Sequence, residues 1–135
     1  MNNIVVQVNN VKYLVRYQVL KSVVSRKHTT KEGKVITRNE LHPNSVVVYL
    51  YQLKQNTINA NTLLHLNTRK KLKEAIYHGA LIYLGRGLSK CSDKDKFDKN
   101  KGIRQAIANI KELDSTEFDV FLAHDINYRI LNTKL

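Results

Sequence analysis

Along the first third of the chain, apolar and β-branched residues alternate with polar ones at a period of two, as in strands with one buried face. Residues 4–8 and 11–17 each read as a strand. Asn9-Asn10 between them suits a two-residue hairpin turn, because asparagine tolerates positive φ. In the second run Val11, Tyr13, Val15 and Tyr17 share one face and Lys12, Leu14 and Arg16 the other, which predicts a half-exposed sheet with a basic outer face. Residues 19–29 and 34–38 predict a second hairpin, turning through Thr30-Lys31-Glu32-Gly33 with Gly33 in the left-handed region. His42-Pro43-Asn44-Ser45 reads as a break. Residues 46–53, largely apolar or aromatic on both faces, read as a central strand.

The pattern then lengthens to a helical period. Residues 54–62 are polar and Asn-rich and read as a loop. Residues 63–78 predict a helix, with Leu72, Ile76, Ala80 and Tyr83 at helical spacing. Gly79, Gly85 and Gly87 argue for an interruption, and residues 81–91 are read as a strand. A charged loop over 93–100 leads to a helix over 102–113, with Ile103, Ala106, Ile107 and Ile110 on one face. A last helix is expected within 117–131, carrying Phe118, Phe121, Leu122, Ile126 and Ile130 and capped by Ser115 or Thr116. The expectation is one α+β domain over residues 1–135. It has an N-terminal antiparallel β-sheet built from hairpins, with two or three helices packed on one face.

Composition narrows the setting. An apolar content of 42% is that of an ordinary globular chain, which argues against disorder. The single cysteine, Cys91, cannot form an internal disulfide. The N-terminus lacks a basic stretch followed by a long apolar run, and no window reaches the roughly 18 apolar residues of a membrane span. The expected compartment is a reducing cytoplasm, with no membrane partner.

Charge changes the picture most. The net charge of +12 attracts polyanions, and residues 91–135 balance to zero, so the excess lies in the first two-thirds. Arg26, Lys27, Lys31, Lys34 and Arg38 fall on or near the second hairpin. Arg69, Lys70, Lys71 and Lys73 crowd the first exposed turns of the first helix, where they oppose its dipole. These nine residues are the candidate contacts to nucleic acid or an acidic partner, with simple solubility as the competing explanation. Tyr13, Tyr17, Tyr49 and Tyr51 offer stacking surfaces if exposed and sheet packing if not.

Catalytic patterns fail one by one. Asp93-x-Asp95-x-x-Asp98 opens like a calcium loop, but Asp98 stands where glycine is needed and Arg104 where a bidentate glutamate is needed. His28, His42, His65, His78, His124 and Cys91 lack zinc-ligand spacing. The first 90 residues hold only Glu32, Glu40 and Glu74, too few and too scattered for a metal-dependent nuclease. His124 and Asp125 are adjacent and point different ways on a helix. Gly85-Arg86-Gly87 lacks dinucleotide-binding spacing. No enzyme activity, catalytic residue, metal or cofactor is expected.

The segment 87–106, with Cys91 ending a strand, Asp95 in a lysine/aspartate loop, Phe97 packing down, Gly102 opening a helix and Ala106 within it, resembles a pattern of small bacteriophage and prophage proteins. That pattern usually places an arginine after the helical alanine, where this chain has Asn109. The family has no settled activity, so the resemblance implies a phage or mobile-element origin and transfers no catalytic residue. The expected function is nucleic-acid binding through a basic surface. The alternative is an effector that binds and inhibits or redirects a host nucleic-acid-processing or defence complex, in the host cytoplasm.

Overall fold

A computed structural model describes residues 1–54, 69–91, 96–110 and 120–132. Among these residues seven elements follow one another: β1 (Asn2–Val8), β2 (Val11–Thr29), β3 (Val35–Leu53), α1 (Arg69–Tyr77), β4 (Leu81–Lys90), α2 (Lys99–Ala108) and α3 (Val120–Leu131). The strands form one antiparallel sheet in the order β1-β2-β3-β4. The domain is thus α+β, as the pattern predicts. The expected loop over 54–62 beyond Lys54, the start of the first helix, Asp93, Asp95, the expected caps Ser115 and Thr116, and Phe118 lie outside the described residues.

The first hairpin turns where expected. Asn9 and Asn10 take φ of 50° and 67°, a pair of left-handed residues that matches the right-handed twist of the flanking strands. Ile4, Val6, Val8, Tyr13, Val15 and Tyr17 then fall on one face with Val46, Val48 and Leu50, and all are buried. Ile103, Ala106 and Ile107 of α2 and Ala123, Ile126 and Ile130 of α3 close that core.

The opposite face is not an open basic surface. Leu14, Tyr51, Leu53 and Leu81 form a second cluster there, which Leu72 of α1 enters. Two helices therefore share one face of the sheet, and α1 takes the other. Arg16 is buried on this side, and its Nε donates to the Asn3 side chain at 3.2 Å. Leu14 and Arg16 are thus buried on this face, and Lys12 is half-buried. The helix α1 ends in a Schellman motif: Gly79, at φ 73°, donates to the Ile76 carbonyl, and Ala80 donates to that of Ala75.

The strand expected over 81–91 is β4, and within it Gly87 lets α2 approach. A Cβ on Gly87 would overlap the Ala106 carbonyl oxygen, and one on Gly102 would lie 2.7 Å from Val46 Cγ2. Gly102 therefore serves close packing inside α2 rather than opening the helix. The opening falls to Asp98, whose carboxylate accepts from the Lys101 backbone N–H at 3.2 Å.

The largest departure from expectation is the length of β2 and β3, 19 residues each. β1 pairs only with residues 11–17 of β2, and β4 only with residues 45–53 of β3. Among the described residues, 21–29 and 35–43 therefore pair only with each other, as a two-stranded arm beyond the sheet. Pro43 lies within this ladder and is no break. It pairs with Lys21 beside a bulge at Asn44, beyond the residues of β3 that pair with β4, where a two-stranded ribbon tolerates its missing N–H.

Candidate nucleic-acid interface

The arm follows directly from its residues. Val23, Val24, Val35 and Ile36 favour extended backbone. Thr30 closes the tip by accepting from Gly33 at 3.0 Å and donating to the Lys34 carbonyl at 2.8 Å, and Gly33 takes φ of 81°. At about 3.3 Å per residue, the nine-residue arm strands reach about 30 Å. Asn44 fixes the joint. Its side-chain amide donates to Ser22 Oγ at 2.7 Å, and its carbonyl accepts from the Cys91 N–H at 2.6 Å.

Arg26, Lys27, Lys31, Lys34 and Arg38 are all exposed on this arm, and none forms an ion pair among the described residues. Arg26 lies opposite Arg38. The arm carries two carboxylates, and Glu40 does not neutralise that pair. Its Oε1 accepts from His28 Nε2 at 3.0 Å and its Oε2 from His42 Nε2 at 2.8 Å. The His42 hydrogen bond, joined by that of His28 and by the positive charge of both rings when protonated, holds the Glu40 carboxyl below its usual range against a smaller desolvation effect. Each imidazole takes a different oxygen, and among the described residues no group of three histidine, cysteine or acidic side chains is arranged to hold a metal ion.

Lys70, Lys71 and Lys73 are exposed on α1, which Arg69 begins. The fold does not bring them to the arm. α1 packs beside Leu14, and Arg26 lies twelve residues further along β2, about 40 Å away at strand spacing. Other cations meet the arm at its root instead. A groove of about 740 Å³ between arm and body is lined by Arg26, His42, Pro43, Cys91, Lys96 and Phe97, among others, and none of the described residues lining it is a carboxylate. A cavity of about 110 Å³ beside it is lined by Lys90, Lys96 and Lys101, with Asp98 committed to capping α2. Sequence reasoning missed these lysines because residues 91–135 average to zero charge. The signal available was local: Lys90, Lys96, Lys99 and Lys101 within twelve residues.

The tyrosines divide. Tyr13, Tyr17 and Tyr51 are buried in the sheet and offer no stacking surface. Tyr49 is half-buried, with the Arg86 guanidinium 6.0 Å from its ring centre. Burial pushes the Tyr51 and Tyr83 phenols up, so neither is poised as a base. The exposed rings are Tyr77, Tyr83 and Tyr128. His124 and Asp125 are open to solvent, 3.9 Å apart at their nearest polar atoms. Among the described residues no helix is long and apolar enough to cross a membrane. No family model, curated protein or solved structure matches the chain.

Proposed function

We propose that this chain is a non-enzymatic nucleic-acid-binding protein of the cytoplasm whose contact element is the β2–β3 arm together with the lysines at its root. The observation that carries this reading is the set of five exposed arm cations without a carboxylate partner among the described residues. Unpaired guanidinium and ammonium groups on a thin projecting element match a phosphate backbone, and the release of its counterions drives association. Arg69, Lys70, Lys71 and Lys73 form a separate basic group on α1, which adds a second contact on a long ligand. The local likeness of residues 87–106 to small phage proteins supports a phage or mobile-element setting.

The test is binding of fluorescent DNA and RNA at low and physiological salt, with a Lys31→Glu/Lys34→Glu double reversal beside the parent chain. Binding that weakens steeply with salt and with the reversal is expected. Absence of binding at low salt overturns the reading.

A second reading rests on Val23, Val35 and Leu41, which are 64–66% exposed on the arm. Apolar side chains so placed suit insertion into an acidic host protein complex, such as a nucleic-acid-processing or defence assembly. Retention of a stoichiometric partner at high salt marks this case.

A further inference from the structure

We infer that the ligand of the arm is double-stranded DNA of B form, with the ribbon lying in the major groove and the face that carries Arg26 and Arg38 turned to the bases. This rests on the nucleic-acid reading above and adds to it the form of the ligand and the face that reads it.

Shape selects the groove. The arm is two strands about 4.8 Å apart, and among the described residues no third strand pairs with residues 21–29 or 35–43. The major groove of B-DNA, about 12 Å wide, admits a two-stranded ribbon, whereas its minor groove, about 6 Å wide, does not admit two strands with their side chains. In A-form RNA the major groove is too deep and narrow for side chains to read. An arm of about 30 Å matches one helical turn of about 34 Å. A single strand, by contrast, calls for stacking platforms, and the arm carries no aromatic residue other than its histidines.

Charge selects the face. Arg26, His28, Arg38, Glu40 and His42 share one side of the ribbon with Val24 and Ile36; Val23, Ser25, Lys27, Thr37, Asn39 and Leu41 share the other. On the first side the one acidic group is held between His28 and His42, so the two arginines keep their donors free. Two guanidiniums facing each other across a ladder present paired donors to the guanine O6 and N7 acceptors of the groove floor. On the second side Lys27 faces Thr37 and the Ser25 hydroxyl donates to the Asn39 side-chain oxygen at 2.8 Å, so no two cations face each other there.

The experiment compares a DNA duplex of about two turns, the RNA duplex of the same sequence and each DNA single strand at matched salt. Displacement by a major-groove ligand (methyl green) and by a minor-groove ligand (netropsin) follows, for the parent chain and for Arg26→Gln/Arg38→Gln. The expected result is DNA-duplex binding at least about tenfold tighter than to the other ligands, displaced by the major-groove ligand only. The double variant, which keeps its fold because both positions are exposed, loses at least about tenfold in affinity and its preference for G·C-rich sites, as removal of the guanine-reading donors requires. Equal binding to all ligands, displacement by netropsin, or an unchanged sequence preference in the double variant overturns the groove inference and leaves nucleic-acid binding standing. No binding to any ligand overturns both.

Discussion

Arg26 lies opposite Arg38 across the β2–β3 ladder, and neither side chain meets a carboxylate among the described residues. Like charges facing each other on one side of a strand pair destabilise it, and opposite charges stabilise it, by roughly 0.2–1 kcal/mol. Arg26→Glu should therefore raise thermal stability slightly. The same change should weaken nucleic-acid binding and flatten its salt dependence by about one ion for each phosphate the arm no longer neutralises. Thermal melting and a salt series on one variant check both. Stability and binding moving in the same direction would show that the arginine pair is not held for a ligand.

The Asn9-Asn10 turn has both residues in the left-handed region. Glycine reaches that region without steric cost, whereas a β-branched residue loses roughly 1–2 kcal/mol there. Asn10→Gly should stabilise the chain by about 0.5 kcal/mol, and Asn10→Val should destabilise it by about 1–2 kcal/mol. Urea unfolding of the pair measures the difference, and nucleic-acid binding should not change, since the turn lies at the end of the sheet away from the arm.

The seat of α2 on the sheet makes a sharper case. Gly87→Ala drives a methyl group into the Ala106 backbone carbonyl, which cannot yield without moving the helix. The cost should be about 3 kcal/mol, near the top of the range for overpacking. Gly102→Ala meets a side chain, Val46 Cγ2, instead. Its damage should be partly relieved in a Gly102→Ala/Val46→Ala double variant, whereas Gly87→Ala should have no such rescue. A double-mutant cycle in denaturant reads the coupling.

These cases mark what was legible in the sequence. The period-two runs and the Asn9-Asn10 turn located β1, the body of β2 and the central strand, because those residues alternate between a core and its far side. The arm was legible in its residues but not in its independence. Whether residues 21–29 and 35–43 acquire a third strand depends on where β1 and β4 stop, and no local pattern states that. Pro43 misled for the same reason, since a proline breaks a central strand but not an edge beside a bulge. Gly79, Gly85 and Gly87 rightly separated the first helix from a strand over 81–91, but sequence alone does not reveal that a helix presses against that strand at Gly87. The arm cations were visible as a cluster. The about 40 Å separating them from the α1 cations, and the lysines at the arm root, appear only once the chain is folded.

Glu40 supplies the pH dependence. The carboxyl is held below its usual value of 4.5, chiefly by the His42 hydrogen bond and then by that of His28. A carboxylate whose folded pKa is lowered adds stability above the unfolded value and loses it as pH falls through the folded one. The contribution of this clamp should therefore be complete at neutral pH, begin to fade near pH 4.5 and vanish once Glu40 is protonated in the folded arm. Amide exchange of arm residues in the parent chain and in Glu40→Gln tests this. Protection should be lower in the variant at neutral pH, and the two should converge in acid. A difference that persists at the lowest pH would assign the effect to packing rather than to charge. Glu40→Gln also removes the one negative charge on the arginine-bearing face, so at neutral pH it should bind nucleic acid more tightly than the parent while its arm is less protected.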